Sequence, residues 1–357
     1  MATQKTLTSC RHFGDCGGCL LQDMDAAAYA AHKHQAVQGA LAKAGVTAEV
    51  LPPIIVAPKT RRRAVFKIKS LPEGLHIGFH AAKSHTVIDM HQCEVLTSGL
   101  FALVGSLRAR LEPVFEVGEG AELHVTQTDT GFDCAFRWKR RLTPNLTAEL
   151  SRVLGGIGIA RLVLNGEIVF ETAAPTVMLG GVPVALPPDP FLQATADGEA
   201  ALQARVLEIV GNAKAVADLF AGCGTFTLPL ARKAKVHAVE QDAPALAALA
   251  AAARAPGLKP VTAETRDLFR LPLTALELSR FEAVVLDPPR AGAEKQAAVL
   301  AASRVPVIAY VSCDANSFAR DAAILVKGGY TAGAVQPVDQ FLWSSHIELV
   351  AGFTRAR

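Results

Sequence analysis

Strand-like and helix-like runs alternate four times between residues 215 and 327. VADLF precedes TFTLPLARKA, VHAVE precedes APALAALAAAARA, EAVVLD precedes EKQAAVLAAS, and VIAYVS precedes FARDAAILVK. A strand that is apolar along most of its length must be covered on both faces, and a helix-length crossover returns the next strand parallel. The pattern predicts an α/β unit, a parallel sheet between two layers of helices. The last run, HIELVAGFTR, follows YTAGAVQP too closely for a crossover helix and is expected to pair antiparallel. Ligands of such sheets bind beyond the carboxyl ends of the strands, so the residues there are the candidates for chemistry.

Upstream the texture differs. From about residue 50 to 185, short Val, Ile, Leu, Phe and Thr runs are punctuated by Gly, Pro and Asp, as in FKIKSLPEGLHIGFH and AELHVTQTDTGFDCAFRW. This predicts a mostly antiparallel sheet. Asp25 to Gly45 reads as one helix, with Asp25 able to cap its start and Gly45 to end it in a left-handed turn. Pro187-Pro188-Asp189-Pro190 removes backbone donors and restricts the residues before each proline, so regular structure should stop there. Two domains are expected, 1–187 and 188–357.

Composition sets the limits. At 50% hydrophobic and 19% charged residues, the chain is neither disordered, collagenous nor disulfide-dense. The opening MATQKTLTSCRHFGDC has no apolar core of signal-peptide length, and later apolar runs are broken by Asp, Pro or Gly before they reach membrane-spanning length. A soluble cytoplasmic protein without a membrane partner, and a monomer, is expected. The net charge of +3 lies in residues 1–187 and is too small to assign a polyanionic partner by itself. Local runs say more: Arg61, Arg62 and Arg63 ahead of Lys67 and Lys69, and Lys139, Arg140 and Arg141 after Phe136 and Trp138. Either run can hold phosphates, or can line a solvated strand edge and resist sheet-to-sheet pairing.

At the carboxyl ends of the expected strands the sequence is specific. Asp218-Leu219-Phe220-Ala221-Gly222-Cys223-Gly224-Thr225 joins the first strand to its helix, and Gly222 and Gly224 let the backbone approach a ligand where a Cβ would collide. No Gly-Lys-Ser/Thr follows, so it is not a P-loop, and the third glycine of a dinucleotide fingerprint is missing. Glu240 ends the second strand, where a carboxylate accepts hydrogen bonds from ribose hydroxyls, and Asp267 is placed to face an adenine. Asp287-Pro288-Pro289-Arg290 ends the fourth strand, Cys313 follows the fifth in Tyr310-Val311-Ser312-Cys313-Asp314, and Glu348 lies in His346-Ile347-Glu348. Singly, each has a plain structural explanation as a core cysteine, a solvated glutamate or a turn.

In order they are not plain. DLFAGCGTFTLPLA, DPPRAG, YVSCDANSFARD and the closing HIE, together with Phe191-Leu192-Gln193, resemble the RNA uracil-C5 methyltransferase family, and GFHAAKSHTVIDMHQC resembles its central domain. The resemblance implies a Rossmann-like class I methyltransferase domain, a mostly parallel seven-stranded sheet with its last strand antiparallel, behind a β-rich RNA-binding domain. It implies that Gln193, Phe220, Glu240 and Asp287 contact S-adenosylmethionine or line its pocket, that Cys313 is the nucleophile, and that Glu348 takes the C5 proton. The chemistry requires such a pair. Uracil C5 attacks a methyl sulfonium only after a thiolate has added to C6, and a base must then remove the C5 proton before the thiol can leave. The chain departs from the family pattern at Thr195, at the alanine-rich helix after Glu240 and at Leu342-Trp343-Ser344-Ser345, positions that bear on substrate fit.

Cys10, Cys16 and Cys19 form C-x5-C-x2-C, with Cys93 some seventy residues on. Four thiolates hold zinc or a four-iron cluster, and spacing alone does not choose; a cytosolic compartment argues against disulfides. Cys-Gly-Gly-Cys with a distant fourth cysteine resembles the ribosomal-RNA members of the family, which implies a [4Fe-4S] cluster with a structural role. Cys134 and Cys223 are read as packing residues. Because the transfer-RNA members lack the cluster, the expected substrate is 23S ribosomal RNA, and the brief segment before the cysteines resembles the subtype acting on uracil 747, without an N-terminal TRAM domain. The competing readings are another uridine in ribosomal or transfer RNA, cytosine-C5 methylation, against which Ser312 stands where a proline is expected, and a non-catalytic RNA-binding assembly factor.

Overall fold

A computed structural model describes residues 10–355. The first half builds a seven-stranded sheet in chain order: Val87–Asp89, Gly74–His80, Arg63–Leu71, Gly120–Thr128, Gly131–Trp138, Ile159–Leu164 and Glu167–Glu171, with the first three reversed. Strand Arg63–Leu71 alternates strictly between half-buried and buried residues, as a sheet with one covered face requires. The cover is helix Ser98–Leu111, whose Leu100, Leu103, Val104, Leu107 and Leu111 meet Phe66, Ile68, Leu123 and Val125. One pair, Gly131–Trp138 with Ile159–Leu164, is parallel, and helix Pro144–Leu154 is the crossover that makes it so.

The second half is the expected α/β sandwich. Its strands lie in the order Val261–Thr265, Lys235–Glu240, Ala215–Leu219, Ala283–Leu286, Val307–Ser312, Glu348–Thr354 and Gln336–Asp339, and Glu348–Thr354 runs antiparallel to both neighbours. The sheet is larger than the seven strands expected. Thr331–Ala332 adds a short pairing to the far end of Glu348–Thr354, and Ile54–Ile55 adds a parallel edge to Gln336–Asp339, giving nine. Strands of two residues leave no periodic signal, which is why the sequence did not show them.

Ile54–Ile55 is one of several places where the N-terminal segment joins the second half. Helix Ala26–Lys43, capped by Asp25 as expected, buries Val37, Ala40 and Leu41 in the same core as Leu286, Ile308, Phe318 and Phe353. The hairpin Thr176–Leu179 and Val182–Ala185 packs Val177, Leu179, Val182 and Val184 on Leu228 and Ala245. In sequence the first 187 residues read as one unit; in space their ends are built into the other. No regular element occupies 186–195, where the prolines stand.

Candidate active site

The antiparallel direction of Glu348–Thr354 decides the site. Parallel strands all deliver their last residues to one edge of the sheet; an antiparallel strand delivers its first residue there. Ser312 is paired with Leu349, so Cys313, the next residue of one strand, lies level with Glu348, the first residue of the other. Asp287 leaves the adjacent strand Ala283–Leu286 at the same edge.

Around them a row of polar groups is closed to water. Glu348 is 3% exposed and Gln193 2%. Gln340 donates through Nε2 to Glu348 Oε1 at 3.1 Å and to Gln193 Oε1 at 2.5 Å, and Gln193 donates in turn to Asp287 Oδ2 at 3.4 Å. Burial drives the Glu348 carboxyl up to about 7, opposed by the Gln340 hydrogen bond. Desolvation and the Glu348 charge hold Asp287 well above the usual carboxylate range. Burial, then Glu348, then Asp287 push the Cys313 thiol up to about 12. Three acidic groups share a small volume, so each proton strongly affects the others. Next door, Asp314 caps helix Ala315–Lys327 by accepting from Asn316 and Ser317, and Arg290 donates to its other oxygen, which fixes the turn carrying Cys313.

The glycine-rich loop stands at the reversal point of strand order. Phe220 takes φ +65°, held there by its amide donating to Val239 O at 2.9 Å, with its ring 5.4 Å from that of Phe269. Gly222 donates to Glu240 Oε2 at 3.0 Å and faces open space where a Cβ would be; at Gly224, φ +104°, a Cβ would lie 3.1 Å from Leu228 and Leu249. Glu240 also accepts from the amides of Gln241 and Asp242. Asp267 accepts from Phe269 and Arg270, seating the Phe269 ring on Phe220. Asp218 is fully buried, one oxygen accepting from Thr227 at 2.5 Å and the other without a partner among the described residues. Burial lifts its carboxyl to about 7. Open space beside a carboxylate at a strand end fits a ribose-bearing ligand.

A cavity of about 520 Å³ opens over Cys313 and is walled by Cys10, Cys16, Cys19, Cys93, Arg61 and His346, among others. The cysteines that lie far from Cys313 in sequence share its pocket. Burial first, then the neighbouring Cys93, Cys16 and Cys10, raises the Cys19 thiol to about 12. Four thiols lining one cavity suit a cationic metal centre chemically. They do not close on a common point: among the described residues no three His, Cys, Asp or Glu side chains converge to metal-holding distances. Cys134 and Cys223 are buried in separate cores, as read.

The arginine run is committed internally. Arg61 donates to Arg63 O and lies 5.8 Å over the Phe341 ring; Arg62 bonds Gln193 O and pairs with Glu199 at 2.7 Å; Arg63 reaches Leu192 O and covers the Phe191 ring. These side chains tie the first sheet to the loop that carries Gln193. In the second run Arg140 is paired with Glu119 and stacked on Trp138, itself stacked on Phe115, whereas Lys139 and Arg141 are exposed. Thr195, where the family pattern has asparagine, caps helix Ala196–Val210 by accepting from Gly198, and Asn and Thr are both good caps. Sequence reasoning missed Gln340, Tyr29, Lys33 and Asp339. Lys33 Nζ donates to Asp339 Oδ1 at 3.0 Å, and Tyr29 OH donates to Asp339 Oδ2 and accepts from Trp343 N at 2.7 Å. For Tyr29, Lys33 and Asp339, partners some 300 residues apart leave no local pattern to read.

Comparison with known proteins gives the family and the fold. A family model described as tRNA (Uracil-5-)-methyltransferase matches residues 185–355. An uncharacterised RNA methyltransferase of Rhizobium meliloti is 47% identical, over 96% of this chain and 84% of its own. The 23S rRNA (uracil(1939)-C(5))-methyltransferase RlmD of Chromohalobacter salexigens is 35% identical, over 99% of this chain and 77% of its own. In fold, the chain is similar to the Pyrococcus abyssi tRNA (uracil-54, C5)-methyltransferase in complex with S-adenosyl-L-homocysteine, with a TM-score of 0.75 and 22% identity over 94% of this chain and 86% of that one. With relatives of this identity spanning nearly its whole length, the chain belongs to the RNA uracil-C5 methyltransferase family.

Proposed function

We propose that the protein methylates C5 of a uridine in 23S ribosomal RNA, with Cys313 as nucleophile and Glu348 as base. The observation that carries the reading is the Ser312 to Leu349 register, which sets a thiol and a buried carboxyl side by side at the ligand edge of the sheet. S-adenosylmethionine supplies the methyl group and brings a positive sulfonium to a site crowded with acids; Phe220, Gly222, Glu240 and Asp287 would hold it, with Asp218 and Gly224 shaping the loop and Asp267 seating Phe269. Cys313 Sγ, once deprotonated, bonds to uracil C6, and the electron pair displaced from the C5–C6 double bond moves toward C5 and O4. After C5 has taken the methyl group, Glu348 removes the C5 proton. The pair left behind re-forms the double bond as the C6–S bond breaks, returning Cys313 as thiolate. A carboxyl poised near neutral pH is matched to this step.

The test is a 23S ribosomal RNA fragment carrying 5-fluorouridine. Fluorine cannot leave as a proton, so the parent protein and S-adenosylmethionine give a denaturation-stable adduct that Cys313→Ser does not form; an adduct mapped to another residue overturns the assignment. Mapping 5-methyluridine decides between the uracil-747 site expected from the sequence and the 1939 site named for the Chromohalobacter relative.

For Cys10, Cys16, Cys19 and Cys93 the proposed occupant is a [4Fe-4S] cluster tying the N-terminal segment to the first sheet, zinc being the alternative. Cys16→Ala is then expected to lower stability and RNA affinity together, read by thermal melting and filter binding. Loss of methyl transfer with both intact would instead assign the cluster to catalysis.

A further inference from the structure

We propose that Gln340 is the positioning residue for Glu348, setting the orientation of the base and keeping it in its proton-accepting form. The inference rests on the reading of Glu348 as base and adds a residue to it.

The side chain is 1% exposed and both polar atoms of its amide have partners. Its nitrogen donates to Glu348 Oε1 and to Gln193 Oε1, and its oxygen accepts from Thr195 N at 3.4 Å. The amide cannot turn over, because its carbonyl would then face two acceptors and its NH2 a donor. Its polarity dictates that of the next group. Since Gln193 Oε1 is occupied as an acceptor, the Gln193 nitrogen must point the other way, at Asp287 Oδ2. Two amides thus stand in fixed sequence between two carboxyl groups that would otherwise face each other.

Space is reserved for this arrangement. At Gly198, in the first turn of helix Ala196–Val210, a Cβ would lie 2.8 Å from Gln340 Cβ and 3.1 Å from its Oε1. Glu348 accepts no other hydrogen bond from a side chain among the described residues, so the Gln340 N–H is what favours its ionised form against burial. Without it the carboxyl would stay protonated to higher pH and be free to rotate.

The consequence is specific to one step. Cysteine addition and methyl transfer do not need Glu348 ionised; proton removal does. Gln340→Met keeps length and approximate volume but removes the donor. On ordinary uridine RNA with S-adenosylmethionine, it is expected to accumulate the methylated covalent complex, as Glu348→Gln should, with turnover slowed roughly tenfold or more. The rising limb of its pH profile should move to higher pH, and the adduct with 5-fluorouridine RNA should form at the parent level. If Glu348→Gln itself accumulates nothing, the assignment of the base fails and the role of Gln340 with it. If Glu348→Gln accumulates the complex but Gln340→Met turns over at the parent rate and pH profile, the positioning role alone is overturned. It is equally overturned if Gln340→Met loses the fluorouridine adduct while its melting temperature is unchanged. If the melting temperature falls too, Gln340→Glu decides. That side chain donates only while protonated, so turnover confined to the acid side of the parent's profile supports the role, and an unaltered profile overturns it.

Discussion

A buried acid whose protonation is shifted upward in the folded protein weakens that protein once it must ionise. Glu348 has a folded value near 7 against an unfolded value near 4.5, so the native state holds the extra proton between them. Stability contributed by the neutral form is present below about 4.5 and is lost as pH rises through 7, the same interval in which the carboxylate becomes a base. Glu348→Gln should therefore be more stable than the parent at pH 8, by about 3 kcal/mol, and by little at pH 4.5. Thermal melting of the ligand-free proteins at both values checks this; an equal gap at both refutes it. Gly224→Ala belongs to the same scale. Its left-handed φ and the 3.1 Å approach to Leu228 and Leu249 should cost about 1–3 kcal/mol. S-adenosylmethionine affinity, measured calorimetrically, should fall with it if the loop is the cofactor cradle.

Among the elements, helix Ala26–Lys43 has the most unusual task. It packs as an amphipathic helix should, yet from its buried face it also sends Tyr29 and Lys33 to Asp339, at the end of strand Gln336–Asp339 of the opposite half. Lys33 is 1% exposed and Asp339 fully buried, so removing one partner strands a charge. Lys33→Met is expected to cost about 3–5 kcal/mol in urea unfolding, and Lys33→Met with Asp339→Asn to recover much of it. The beneficiary is the loop 341–346, in which Trp343 takes φ +61°, its amide on Tyr29 and its carbonyl accepting from Leu20 and Leu21. Leu342-Trp343-Ser344-Ser345, a departure from the family pattern, is thus held by contacts from the N-terminal segment. The helix itself was legible from Asp25, the alanines and Gly45. Its partners were not, because hydrophobic period and capping are local signals and an ion pair across the fold is not.

Across the whole molecule, legibility follows the same division. The alternation from 215 to 327 and the crowded approach to HIELVAGFTR specified a parallel sheet with one reversed strand, and the reversal is what sets Glu348 level with Cys313. The sequence could not show that the four N-terminal cysteines line the cavity over Cys313, nor that Arg61, Arg62 and Arg63 face inward, since both depend on how two sheets meet. Lys139 and Arg141 are exposed, and we propose them as phosphate contacts; reversing both to Glu should then weaken RNA binding uniformly across sequences and reduce its salt dependence, measured by filter binding at several ionic strengths.

The two halves are stitched together at Ile54–Ile55, at Lys33 and Tyr29, at Leu20 and Leu21, and at Arg62 and Arg63. On the proposed reading of Cys313 as nucleophile, a stacked uridine would have to leave its stack to reach the sulfur, at a cost of about a few kcal/mol that is least where the base is already unpaired. Selection among thousands of uridines can then begin with how easily each one is pulled free, before any neighbouring base is read.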